Sequence, residues 1–468
     1  MFRKTVTSMV VVLALALPAT SSFAATAATA PAAPTAPAKP AATAAPAPAK
    51  AEVVTLDKAL ELATANSQSV KTADKNVEIA QETVKQAQAG FMPSVSYSAG
   101  ATTTTKDSST LVPVNPNGDG SYDGIRRVDL PDHGYTGSVK VTQPLFTGGK
   151  LTYTLEIAKL QLASAEESQR KAQQTLAFNV KQAYYQTWLA QQMVGVAQSS
   201  YDNLGHHVDQ VEHFYKVGTA SKFDLLQAQV QHDGLKPNVI TAQNNLALAR
   251  LNLAILIGYP KDRTFEVSYD ASQLKLPDQL QFSNAFVEEA YQNRPEMKQI
   301  HQQETMAEYQ TKLAEVGDKP TIALTGSYDG SGADLWPGKW DKSATLTLGV
   351  TGLIWDGNNT KSKVTAAKKQ EEVVALQESS LKDSIRLDVE QSQQSLTEAL
   401  ETTRANQSSI DLARESLRLT QARYNAGLAT TMDIMDAQLA LDKALTGYYQ
   451  GVVSYQVALA KIDLARGK

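Results

Sequence analysis

Asp433 and Asp436 stand three residues apart in a stretch of helical pattern. Side chains at i and i+3 share one helix face, so the two carboxylates lie one above the other. In a single chain that is a small anionic patch. Repeated around a symmetry axis it becomes two stacked carboxylate rings, which favour cations and raise a barrier to anions. A local role competes for Asp433: Thr430-x-x-Asp433 has the spacing of a capping box, and Ser221-x-x-Asp224 repeats it. Asp436 has no capping role, and Gln227 stands in its place in the earlier stretch. His206, Asp209 and His213, at i, i+3 and i+7, have a spacing that can present metal ligands. Wet helix faces often carry such residues idly, and the metal reading is the weaker one. No glycine-rich phosphate loop follows a strand and no nucleophile–base pair presents itself. The sequence therefore predicts no enzyme, no cofactor and no metal.

The two capping pairs belong to a longer repeat. Residues 215–229 read YKVGTASKFDLLQAQ and residues 424–438 read YNAGLATTMDIMDAQ, with Tyr, Gly, Ala, Asp, Ala and Gln recurring at a constant offset of 209. The same offset pairs Phe146-Thr147-Gly148 with Trp355-Asp356-Gly357. A register held over that distance indicates a duplicated half-molecule, the period being too long for a solenoid. The boundaries read as a first repeat over 51–260, a linker over 261–281 and a second repeat over 282–468.

Residues 1–24 have the parts of a secretory signal: Arg3 and Lys4, an apolar run Met9–Leu17, and Ser22-Phe23-Ala24 as a cleavage site. That run is too short to span a bilayer, and no later apolar run reaches 18 residues. Residues 25–50 are almost wholly Ala, Pro and Thr and read as a flexible lead-in. There is no cysteine, hence no disulfide, thiolate metal site or lipid-bearing cysteine. The net charge of −4, with no block of Lys or Arg, argues against a nucleic-acid partner.

Each unit begins with a helical stretch, Leu56–Ala89 or Ser283–Val316, stopped by Gly90 or Gly317 and a following proline. A strand follows (Ser94–Ser98 or Thr321–Thr325), then a polar loop, then a second strand (Ser138–Phe146 or Ala344–Trp355). The first loop is 18 residues longer and includes VNPNGDGSYDG. From Lys361 to Ala426, 66 residues pass without Gly or Pro, a rod of about 100 Å. Such a rod must pack along a partner. Val389, Leu396, Thr403, Ile410, Leu417 and Tyr424 supply a sevenfold seam, matched in phase by Val180, Thr187, Val194, Tyr201, Val208 and Tyr215. Gly195 and Gly205 weaken the first rod, and Pro237 is expected to break or kink its return. Four strands leave two open sheet edges, so closure needs strands from other copies; two chains would supply eight and three would supply twelve.

With this order in hand, the chain resembles the TolC-like outer-membrane efflux protein family. The resemblance rests on the paired segments Tyr215…Gly218…Asp224…Ala228-Gln229 and Tyr424…Gly427…Asp433…Ala437-Gln438, the Pro144-Leu145-Phe146-Thr147-Gly148-Gly149 box, and the helix–hairpin–long-helix order over about 51–466. It implies a mainly α protein with a small membrane β-barrel part, each chain of a homotrimer giving four strands to a twelve-stranded barrel continued by an α-helical periplasmic barrel. It further implies a Gram-negative outer-membrane exit duct for small molecules or proteins, docked on a periplasmic adaptor and an inner-membrane pump. By the same resemblance Asp433 and Asp436 ring the periplasmic entrance, and Tyr424 and Asp224 help hold it closed. Val217-Gly218-Thr219 and Ala426-Gly427-Leu428 match the tip turns that meet the adaptor. One departure stands at Ala429, where the best-known members carry an arginine; either Arg423 substitutes or the resting gate is held less tightly. Phe146 and Trp355 sit where aromatic-belt residues meet the membrane interface, with core packing as the rival, and Tyr97, Tyr135 and Tyr328 are candidates to join them. A periplasmic coiled-coil scaffold without a barrel is the alternative function; the two alternating hairpins argue against it. The cargo stays open among drugs, metals and proteins.

Overall fold

The computed structural model describes residues 52–103, 109–116, 122–129, 133–260, 265–271, 274–280, 282, 285–335 and 339–468. The signal-like segment 1–24 and the segment 25–50 lie outside the described residues. Two helical hairpins dominate. Helix α3 (Lys150–Lys216) returns as α4 (Lys222–Ile257), and α7 (Asn359–Asn425) returns as α8 (Thr431–Ala465). Helices α3 and α7 are each 67 residues long, about 100 Å at 1.5 Å per residue. Gly195 and Gly205 do not interrupt α3. Of the break or kink expected at Pro237, the break is absent: α4 runs as one helix through it. Buried Val239, Ala242, Leu253 and Ile257 hold it along its course despite the lost N–H.

The seam of α7 is buried as its spacing predicts: Val389, Leu396, Thr403, Ile410 and Leu417 are all at most 9% exposed. The Thr403 hydroxyl donates to the Ala399 carbonyl at 2.6 Å, so it enters the seam with its hydrogen bond made. In α3 the series holds at Val180 and Thr187 but then shifts. Ser200, Leu204, His207 and Val211 are buried, Tyr201 and Val208 are half-buried, and Tyr215 is exposed. A straight helix drifts against a sevenfold repeat, and α3 must pack on both α4 and α8.

Each unit begins with two helices where the sequence predicts one. These are α1 (Leu56–Asn66) and α2 (Gln68–Ala89) in the first, α5 (Ala285–Asn293) and α6 (Pro295–Glu315) in the second. Pro295 forces Arg294 out of the helical region, to ψ 132°. Ser67 makes the equivalent turn without proline, at ψ 127°, while Asn66 donates its amide to the Ile257 carbonyl at 3.3 Å. The turn lets α1 pack into a core with Val180, Tyr184, Trp188, Leu253 and Ile257.

The linker region is also more structured than its composition suggests. Strand β6 (Phe265–Val267) pairs in parallel with β1 (Glu52–Val54). Tyr184 donates to the Ser268 carbonyl at 2.7 Å and the Val54 carbonyl at 3.2 Å, tying this ribbon to α3.

Four longer strands form one antiparallel sheet in the order β2-β5-β7-β8: β2 (Ser94–Thr103), β5 (His133–Phe146), β7 (Thr321–Gly332) and β8 (Asp341–Thr351). Strand β8 ends before Trp355, which the sequence reading placed inside it. The long first loop, read as irregular, contains a hairpin of its own, β3 (Ser109–Pro116) with β4 (Tyr122–Asp129).

Candidate functional site

Both helical hairpins turn in the same way. After α3, the Thr219 N–H bonds the Phe214 carbonyl at 2.8 Å and the Gly218 N–H bonds the Tyr215 carbonyl at 3.1 Å. After α7, Leu428 bonds Arg423 at 2.8 Å and Gly427 bonds Tyr424 at 2.9 Å. This paired bonding closes a helix only if the residue after the cap is left-handed, and Gly218 (φ 83°) and Gly427 (φ 72°) are. A Cβ on either glycine would meet nothing within 4 Å, so both face open space. Val217 and Leu428 stand beside them, 60% and 69% exposed, with Ala426 also exposed.

The returning helices start with the expected boxes. The Asp224 carboxylate accepts from the Ser221 N–H (3.0 Å) and hydroxyl (2.7 Å), and the Asp433 carboxylate accepts from the Thr430 N–H (2.7 Å) and hydroxyl (2.8 Å). The backbone bond from Thr430, then its hydroxyl, hold the Asp433 carboxyl below the usual range, with the Arg423 charge adding to the effect. Arg423 itself donates to the Leu428 carbonyl at 3.3 Å, so its guanidinium works inside its own turn. Asp436 is exposed on the second turn of α8, and its carboxylate has no hydrogen bond or ion pair among the described residues.

Asp224, Tyr424, Thr219, Ala426 and Gly427 line one cleft of about 530 Å³ between the two tips. Tyr424 and Asp224 do not bond each other within the chain. Tyr424 is half-buried, its ring against His207 (4.8 Å between centroids) and Phe214 (6.1 Å). His207, next to His206 but on another face of the helix, carried no role in the sequence reading. It is buried, neither ring nitrogen is in hydrogen-bonding geometry with a partner, and desolvation lowers its pKa more than the nearby Gln210 side chain raises it. Its spacing from Leu204 and Val211 was the available signal. His206, Asp209 and His213 are exposed and do not converge. The donor set that converges among the described residues is His301, Glu304 and Glu378, and there the Lys382 ammonium sits 2.8 Å from Glu378 as counter-charge.

The sheet has two chemically different faces. Register places Val95, Tyr97, Val139, Val141, Tyr328, Leu346 and Leu348 on one face. Ser96, Ser98, Lys140, Ser138, Ser327, Asp329 and Thr345 lie on the other. The apolar face is open, with Tyr97 87% and Leu346 75% exposed. Trp340 lies on it over Gly137, Gly330 and Gly332, and its indole N–H reaches the Asp334 carbonyl at 2.8 Å. The sequence reading missed Trp340; alternating glycines on a strand marked the place where a large ring can lie flat. Phe146 and Trp355, at the other end of the strands, are exposed within the chain, so core packing is not what holds them here. Strands β2 and β8 are open edges among the described residues. No helix among the described residues is long and apolar enough to cross a membrane.

The comparisons agree with this geometry. The family described as outer membrane efflux protein matches residues 59–259 and 286–468. "Outer membrane protein TolC" of Escherichia coli K12 is 25% identical over 70% of this chain and 69% of its own length. The outer membrane efflux protein BepC of Brucella suis is 23% identical over 87% of this chain and 82% of its own. The fold matches the Campylobacter jejuni CmeC outer membrane channel with a TM-score of 0.71 at 15% identity, over 88% of this chain and 85% of that one. With a duplicated helix–hairpin–rod unit, a two-faced open sheet and a family match across both repeats, this chain belongs to the outer membrane efflux protein family.

Proposed function

We propose that three copies of this chain close into an outer-membrane exit duct, that Asp433 and Asp436 gate its periplasmic mouth, and that the tip turns dock a periplasmic adaptor. The observation carrying the reading is the sheet: apolar on one face, polar on the other, and unpaired at β2 and β8. A membrane barrel needs an apolar face toward lipid, a polar lumen and no free edge. Three chains supply twelve strands, with β8 of one meeting β2 of the next. Trp340, Tyr97 and Tyr328 would lie toward one interface, and Phe146 and Trp355 toward the other. A scaffold without a barrel has no use for such a sheet.

At the far end, Asp436 is the freer of the two carboxylates and Asp433 is shared with its cap. Symmetry in a narrow mouth would multiply both, giving a local potential that the same charges on an outer face would lose to screening within about 8 Å. Tyr424 and Asp224 line the cleft against which the second tip would move. Val217, Gly218, Thr219, Ala426, Gly427 and Leu428 form the exposed apolar turns available to an adaptor. Single-channel recording tests the gate. The double variant Asp433→Ala/Asp436→Ala should lose cation preference and block by multivalent cations, and Asp436→Ala alone should give much of that effect. Unchanged selectivity in the double variant would put these carboxylates on a solvated outer face.

A further inference from the structure

A second cavity, of about 480 Å³, opens between α3, α4 and α8. Asp442, which faces it, lies nine residues along α8 from Asp433, about 14 Å away. Leu189, Met193, Val196, Leu235 and Ala242 make much of its wall. The Asp442 carboxylate accepts from the Ser200 hydroxyl at 2.7 Å and the Gln438 amide at 2.8 Å. No Lys, Arg or His lines the cavity, and Asp442 takes part in no ion pair among the described residues. Desolvation pushes its pKa up, against the pull of the Ser200 and Gln438 bonds.

We propose that this cavity binds a small organic cation with an apolar body, its charge resting on Asp442. Asp442 is half-buried beside an apolar wall and held by two neutral donors, so a cation entering the cavity would supply the counter-charge that the chain does not. The volume falls in the range of small-molecule sites, roughly 300–1,000 Å³. Met193 gives part of the wall an adaptable surface. A bare metal ion would find one carboxylate and no use for the apolar wall. An anion would be repelled, and a neutral molecule would leave the charge unmatched. The inference does not depend on the gate, because Asp433 and Asp436 are outside the lining.

The test is titration of ethidium, by fluorescence and calorimetry, into the purified full-length oligomer in non-ionic detergent. Saturable binding at one site per chain is expected. Asp442→Asn keeps the shape and removes the charge, and should weaken binding at least tenfold. Val196→Trp should do the same by filling the cavity with Asp442 intact, whereas Asp411→Asn, an exposed carboxylate on α7 outside both cavity and tips, should bind as the parent does. Heat-resistant oligomer on gels confirms that each variant is assembled. Absence of saturable binding, equal affinity in Asp442→Asn, equal binding of a neutral phenanthridine, or loss of binding in Asp411→Asn would each overturn the assignment.

Discussion

Helix α8 carries two glycines one turn apart that should respond oppositely to the same methyl group. Gly451 is buried where α8 crosses α7, and a Cβ there would lie 2.8 Å from Thr403 Oγ1 and 3.0 Å from Thr403 Cα. The second contact is to backbone, and Thr403 is itself fully buried with its hydroxyl committed to Ala399, so nothing flexible can give way. At Gly447 the nearest atoms are the Asn406 side-chain amide, at 3.1–3.2 Å, on a residue that is only half-buried and can rotate. Gly→Ala inside a helix gains about 1 kcal/mol from propensity at either site. Overpacking a closed seam costs about 1–3 kcal/mol. Gly447→Ala should therefore be neutral or stabilising, and Gly451→Ala should be about 1–3 kcal/mol less stable than Gly447→Ala. Urea unfolding of detergent-solubilised protein, followed by helical circular dichroism, measures the difference. Equal midpoints for the two variants would refute the reasoning, since α7 and α8 could then not approach at Thr403 as closely as described.

Three further outcomes follow from the tips and the sheet. His207 has a folded pKa below its ordinary value of 6.5, so below that pH the unfolded tip binds more protons than the folded one, and stability there should fall as the pH drops. Hydrogen-exchange protection over residues 204–215, corrected for the pH-dependent intrinsic rate, should fall from pH 7.5 to 5.5 in the parent and much less in His207→Phe; equal pH responses in the two would count against it. Valine at Gly218 and Gly427 would strain a left-handed residue by about 1–2 kcal/mol each while its side chain points into open space. Export should be lost with the oligomer and membrane insertion intact, and export surviving both changes would remove the docking assignment. Trp340→Ala uncovers the flat strip of Gly137, Gly330 and Gly332, and should lower the temperature at which heat-resistant oligomers dissociate; an unchanged temperature would mean the indole braces nothing.

Much of this protein is legible because its constraints are local. The stretch without Gly or Pro before Gly427 sets a rod, and α7 ends at Asn425, beside that glycine. A left-handed turn demands Gly218 and Gly427, and Ser221 or Thr430 three residues before an aspartate announces a helix start. The repeat itself required only comparison of one half with the other. Other features depend on which surfaces meet. No local residue type marks the break at Ser67 as Pro295 marks its counterpart; it exists because α1 must turn into the core beneath α4. Phe265 and Val267 look like linker until β1 arrives beside them. The shift of the α3 seam to Leu204, His207 and Val211 follows from sharing one helix between α4 and α8, a demand no heptad count contains. The cavity at Asp442 likewise needs three helices from both repeats, since each presents only a fraction of its wall. Backbone conformation is written residue by residue, whereas burial belongs to pairs of surfaces far apart in the chain, and only the assembled packing decides it.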